Sequence, residues 1–153
     1  MAAQLPDSII IEKEKMGLYT NPLEQYWIRL EKKRPPFCPL DSCQRGYVAT
    51  WEIKDKQLFL KDIDGNFVRK SLLFGKRIVR YSMKMLFSKS GSRRVKASWF
   101  SGKLRIPRGH MTAYDHNEYN SRFEKEMIVT VDRGNVIKMV TLDYAQHMLT
   151  VNG

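Results

Sequence analysis

The chain has 153 residues, 42% of them hydrophobic and 28% charged, with Lys and Arg outnumbering Asp and Glu by 27 to 16. That length and composition fit one globular domain, exclude wholesale disorder and need no disulfide or metal for folding. The longest apolar runs, such as Ile9–Ile11 and Met127–Val129, are far too short to span a bilayer, so no membrane partner is expected.

Residues 1–7 read as a loose tail and 8–153 as a single β-rich domain. Ser8 to Lys13, with three isoleucines in a row, is a plausible first strand. One short helix follows at about 21–31. Asn21 suits its cap and Pro22 its first turn, and Glu24 completes a capping-box pattern. Leu23, Tyr26, Trp27 and Leu30 form its apolar stripe, and Pro35-Pro36 prevents continuation.

From Gly46 the periodicity is two. Tyr47, Ala49, Trp51 and Ile53 alternate with more polar neighbours, and a tight turn at Lys54-Asp55-Lys56 leads back through Leu58 to Leu60. Asp64-Gly65 reads as a hairpin turn before Phe67–Leu73. Val79 to Phe87 alternates like a strand, as do Val95 to Trp99 and Leu104 to Ile106. Gly109 to Ser121 is polar and irregular. Phe123–Val131 and Val136–Leu142 are joined by a hairpin at Asp132-Arg133-Gly134-Asn135. About eight strands and one helix predict a mainly β fold, an antiparallel barrel or sandwich.

The positive charge is concentrated. Phe67 to His110 holds thirteen basic residues and no Asp or Glu, whereas residues 1–66 balance ten against ten. Either the acidic flanks fold back over this segment or it faces a polyanion. By strand alternation Arg80, Lys84, Lys96, Lys103 and Arg105 fall opposite the apolar set, so five cations share one surface if their strands are neighbours. Phe100 falls on the same face, and Arg93 and Arg94 flank it in sequence. Tyr114 and Tyr119 suit a protein-contact loop.

Two stretches, RGYVATWEI (Arg45 to Ile53) and WFSGKLRIPRG (Trp99 to Gly109), resemble signatures of a group of small, uncharacterised bacterial proteins. The resemblance runs from about Pro22 to Val131 and implies one shared domain of bacterial, cytoplasmic origin, with no known activity. Such relatives read H-M-G-Y-G-S where this chain has His116-Asn117-Glu118-Tyr119-Asn120-Ser121, which replaces both glycines.

The chemistry-bearing residues form no recognised constellation. Cys38 and Cys43 lack the C-x₂-C spacing and the further pair that a zinc site needs, and two cysteines make no disulfide scaffold. Phosphate-binding loops and nucleophile elbows are absent from the sequence. His110, Asp115, His116 and Glu118 gather in one polar loop without a metal-ligand or catalytic spacing. No catalytic residue, metal or cofactor is therefore assigned. The reading the sequence favours is a small non-catalytic binding protein whose basic sheet face docks on an acidic protein, as inhibitors and immunity-type proteins do. A nucleic-acid binder using the same face is the alternative, and a small enzyme built on the His110–Glu118 loop a third reading.

Overall fold

The structure, a computed structural model, describes residues 5–38, 45–73, 75–87, 93–113 and 122–144, apart from the side chains of Val68 and Ala113. Eleven elements follow in chain order: β1 (Asp7–Ile11), β2 (Glu14–Leu18), α1 (Pro22–Arg29), β3 (Tyr47–Lys54), β4 (Gln57–Ser71), β5 (Gly75–Tyr81), α2 (Met83–Leu86), β6 (Val95–Lys96), β7 (Gly102–Ala113), β8 (Arg122–Asp132) and β9 (Asn135–Asp143). The chain is mainly β, as its periodicity predicts. The nine strands among the described residues belong to one mixed sheet of order β2-β1-β3-β4-β9-β8-β7, with β5 and β6 also on β4. Every pairing is antiparallel except β1 with β3.

Three tight turns set the register. Glu12-Lys13, Asp55-Lys56 and Arg133-Gly134 each place two consecutive residues at positive φ, between 49° and 81°, the hand that matches strand twist in two-residue hairpins. Gly134 has a second reason to be glycine, because a Cβ there would lie 2.8 Å from the Ala97 carbonyl oxygen. Its N–H donates to the Phe100 carbonyl at 3.0 Å, and its own carbonyl accepts from Leu58 N–H at 2.8 Å. This turn thus joins the β7–β9 layer to β4. At the far end Tyr19 N–H donates to the Arg105 carbonyl at 2.8 Å and Arg105 N–H to Thr20 Oγ1 at 3.0 Å. Those contacts bring the end of β2 to β7, but the sheet is not closed.

The core lies inside the curl, filled by Trp51, Tyr47, Phe100, Leu58, Leu60, Leu104, Ile106 and Val129. Helix α1 adds Leu23, Tyr26 and Trp27. It stops at Arg29, so Leu30, expected on the stripe, is exposed. Asn21 makes no side-chain cap and turns instead to Asp7. Other sequence expectations also differ from the structure. Asp7, assigned to the tail, is fully buried in β1. Asp64-Gly65 is no turn, since β4 runs straight through it. Val79–Phe87 is not one strand: after Tyr81 the chain winds into α2, burying Met83 and leaving Met85 exposed. Strand β7 continues through His110 to Ala113, into the stretch expected to be irregular.

Buried Asp7 anchors the N-terminal strand. Its carboxylate accepts from Arg45 Nη2 at 2.8 Å, Ala49 N–H at 3.0 Å and Trp51 Nε1–H at 3.0 Å. Both partners of the ion pair are withdrawn from water, so removing one strands the other. Asp7→Ala is expected to cost about 3–5 kcal/mol, read from urea unfolding. Replacing Asp7 and Arg45 together with apolar residues is expected to cost less than the single change.

Candidate functional site: a cationic hairpin arm

The five cations expected to share a face do not lie on neighbouring strands. Arg80 is on β5, Lys84 on α2 and Lys96 on β6, whereas Lys103 and Arg105 are on β7, separated from β4 by β9 and β8. Several cations of the basic segment, within and beyond these five, are matched within the fold. Arg80 pairs with Asp64 at 3.4 Å, Arg94 with Glu52 at 3.1 Å, and Arg108 with Glu14 at 3.3 Å. Arg105 pairs with Glu126, which also accepts from Tyr144. Lys96 donates to Asn135 at 2.8 Å. Lys84, Arg93 and Lys103 are exposed.

Phe100 is buried rather than among the surface cations, and the reason is local. Strand β6 ends at Lys96, and Phe100 N–H then donates to the Ala97 carbonyl at 3.0 Å. The turn breaks the period of two, so Trp99 and Phe100 both face inward. Tyr114 and Tyr119 lie outside the described residues, as do Cys43, Phe74, Asp115, His116 and Glu118. Cys38 is half-buried. His110 is exposed and donates its backbone N–H to Glu124 at 3.3 Å. Among the described residues no three His, Cys, Asp or Glu side chains are placed to hold a metal ion.

What the fold does bring together is a cluster the alternation argument passed over. Strand β4 outruns the core and pairs with β5 in a two-stranded arm, with Arg69 opposite Arg77 and Lys70 opposite Lys76. Alternation puts the two arginines on one face and the two lysines on the other. Neither face is covered: Arg69, Lys70, Lys76 and Arg77 are all exposed, and β5 packs extensively against β4 alone. None of the four forms an ion pair among the described residues. At the tip Leu72 is fully exposed and Leu73 is 87% exposed, and Ile78 is 74% exposed on the lysine face. The signal was present in the sequence as an apolar turn bracketed by Arg69-Lys70 and Lys76-Arg77.

The root of this arm is closely packed. Phe37, Tyr47, Phe67 and Tyr81 pack around Gly65, with Phe37–Tyr47 centroids 5.0 Å apart and Phe37–Tyr81 centroids 5.1 Å apart. A Cβ on Gly65 would come within 2.8 Å of Tyr47 Cβ, so the rings close on bare backbone. Beyond the end of β3, on the same edge of β4, Cys38 N–H donates to the Asn66 carbonyl at 2.8 Å. Burial pushes the Tyr81 phenol up to about 12, and burial pushes Tyr47 well above its ordinary value. Both rings therefore stay neutral near pH 7, and Tyr47 donates to Glu24.

Like charges directly opposite in a ladder are destabilising, whereas opposite charges contribute about 0.2–1 kcal/mol per pair. Lys76→Glu with Arg77→Glu turns both repulsive pairs into attractive ones. The double variant is expected to be at least as stable as the parent, measured by its urea midpoint. Compared with known proteins, the chain matches no family model, no curated protein and no solved structure.

Proposed function

We propose that this is a non-catalytic binding protein that docks an anionic partner with the β4–β5 arm. The observation that carries the reading is the set of four cations at Arg69, Lys70, Lys76 and Arg77, exposed on both faces and lacking ion pairs among the described residues. A fold that gains nothing from opposed like charges retains them for something outside itself. The partner site thus shifts from the broad sheet face to the arm, since Arg80, Arg94 and Arg105 already have carboxylate partners. An acidic protein and a nucleic acid both belong to the class of partner that charge selects. An enzyme built on the His110 loop draws no support from the described residues, where His110 meets Glu124 only through its backbone N–H.

Immobilised heparin is a suitable probe because it presents dense negative charge without base or side-chain specificity. The parent is expected to be retained and to elute with rising salt, as counterion-linked binding requires. Lys76→Glu with Arg77→Glu is expected to elute at much lower salt while remaining folded. Equal retention of parent and variant would remove the arm from the binding surface.

A further inference from the structure

Charge alone does not choose among anionic partners; the tip of the arm does. From the geometry we infer that the arm inserts end-on into an anionic phospholipid surface, its Leu72-Leu73 turn entering the apolar boundary while Arg69, Lys70, Lys76 and Arg77 meet the headgroup phosphates. This rests on the arm being the anionic docking element.

Three observations support it. First, the two most exposed large apolar side chains of the described residues are consecutive and sit at the turn itself, Leu72 fully exposed and Leu73 at 87%. Such a position serves a partner that offers an apolar phase. Second, the order along the arm is apolar and then cationic. Lys70 pairs with Lys76 just behind the turn and Arg69 with Arg77 one step further. At about 3.3 Å per residue these pairs lie roughly 6–12 Å behind the leucines. Interfacial segments bury their apolar face about 5–10 Å, which brings such cations to the phosphate level. Third, the cations occupy both faces of the ribbon. A flat acidic protein would engage one face and leave the other, whereas a ribbon entering a headgroup layer end-on is surrounded by anions. A duplex groove also presents phosphate on two sides, but it offers the leucines no comparable apolar phase.

The contact is peripheral. No helix among the described residues is long and apolar enough to cross a membrane, and the arm touches one leaflet only. The sequence expectation of no membrane partner considered spanning segments, which a hairpin tip does not need.

Co-sedimentation of the full chain with vesicles tests this. The parent is expected to bind phosphatidylserine–phosphatidylcholine vesicles and to bind pure phosphatidylcholine vesicles far more weakly. Lys76→Glu with Arg77→Glu is expected to weaken anionic-vesicle binding at least about 30-fold, from ~1 kcal/mol per cation near the surface. Leu72→Ser with Leu73→Ser alters only exposed side chains, so folding is not at risk. It is expected to reduce vesicle binding at least about tenfold while leaving heparin retention unchanged. Heparin retention by the parent without vesicle binding would overturn the lipid assignment and leave the arm as a docking element for another polyanion. Equal vesicle binding by the serine variant would overturn insertion. Loss of both heparin and vesicle binding by the parent would remove the arm's role altogether.

Discussion

The architecture depends on one crowded point, where Gly65 of β4 lies between Tyr47 of β3 and Tyr81 of β5 with the Phe37 ring against it. A side chain there would collide with Tyr47 Cβ or the Phe37 ring, so the aromatic shell closes only on bare backbone. Because the strand passes this point without turning, the same fifteen-residue element serves two purposes. Its first half is core, through Leu58, Leu60 and Ile63, and its second half leaves the core as the arm. A bulge opposite Thr50-Trp51 adjusts the alternation on the way, keeping Leu60 and Ile63 both inward despite their odd spacing. The closely packed aromatic root matters for any partner, because an arm that swings freely loses entropy on docking and one held by packed rings loses less.

Among the described basic residues between Phe67 and His110, two groups differ in what the fold gives them. Arg80, Arg94, Arg105 and Arg108 meet Asp64, Glu52, Glu126 and Glu14, carboxylates supplied by both acidic-bearing ends of the chain. These pairs include half-buried ones that fix elements to each other, such as Arg105 on β7 to Glu126 on β8. The exposed Arg80–Asp64 pair is screened and contributes little. The arm's cations belong to the second group, with no carboxylate on either neighbouring strand position. Internal neutralisation therefore holds for some of these residues, and the arm's cations are left facing solvent. A segment's net charge is a property of composition, and only the fold decides how much of it reaches solvent.

Much of the framework was legible because it is written in local chemistry. The Asp55-Lys56 and Arg133-Gly134 turns, helix α1 and the alternating core positions of β3, β7 and β8 follow from turn propensity and period. Strand β2 escaped notice because Glu14, Lys15 and Gly17 give it no apolar rhythm, and its place comes from pairing with β1. Long-range crowding hid the role of Gly65, since an Asp-Gly pair signals a turn and nothing nearby in sequence announces Phe37 and Tyr47. Phe100 was misplaced because parity was carried through a strand that ends at Lys96. The arm itself was half visible. Arg69, Lys70, Lys76 and Arg77 lie on a ribbon with no core on either side, so strand alternation assigns them no single outward face.

A two-stranded ribbon without a covered face is marginal by itself, and opposed like charges weaken it further. Here the aromatic root supplies the missing stability. Phe67 and Tyr81 pair at the base, Cys38 bonds Asn66 on the second edge, and the ladder then needs to extend by only a few residues to its turn. The arm is thus short enough for the root to hold and long enough to carry its cations clear of the carboxylates that neutralise the other arginines. It begins where β4 leaves the core at Gly65, a position where the packed rings leave no room for a side chain.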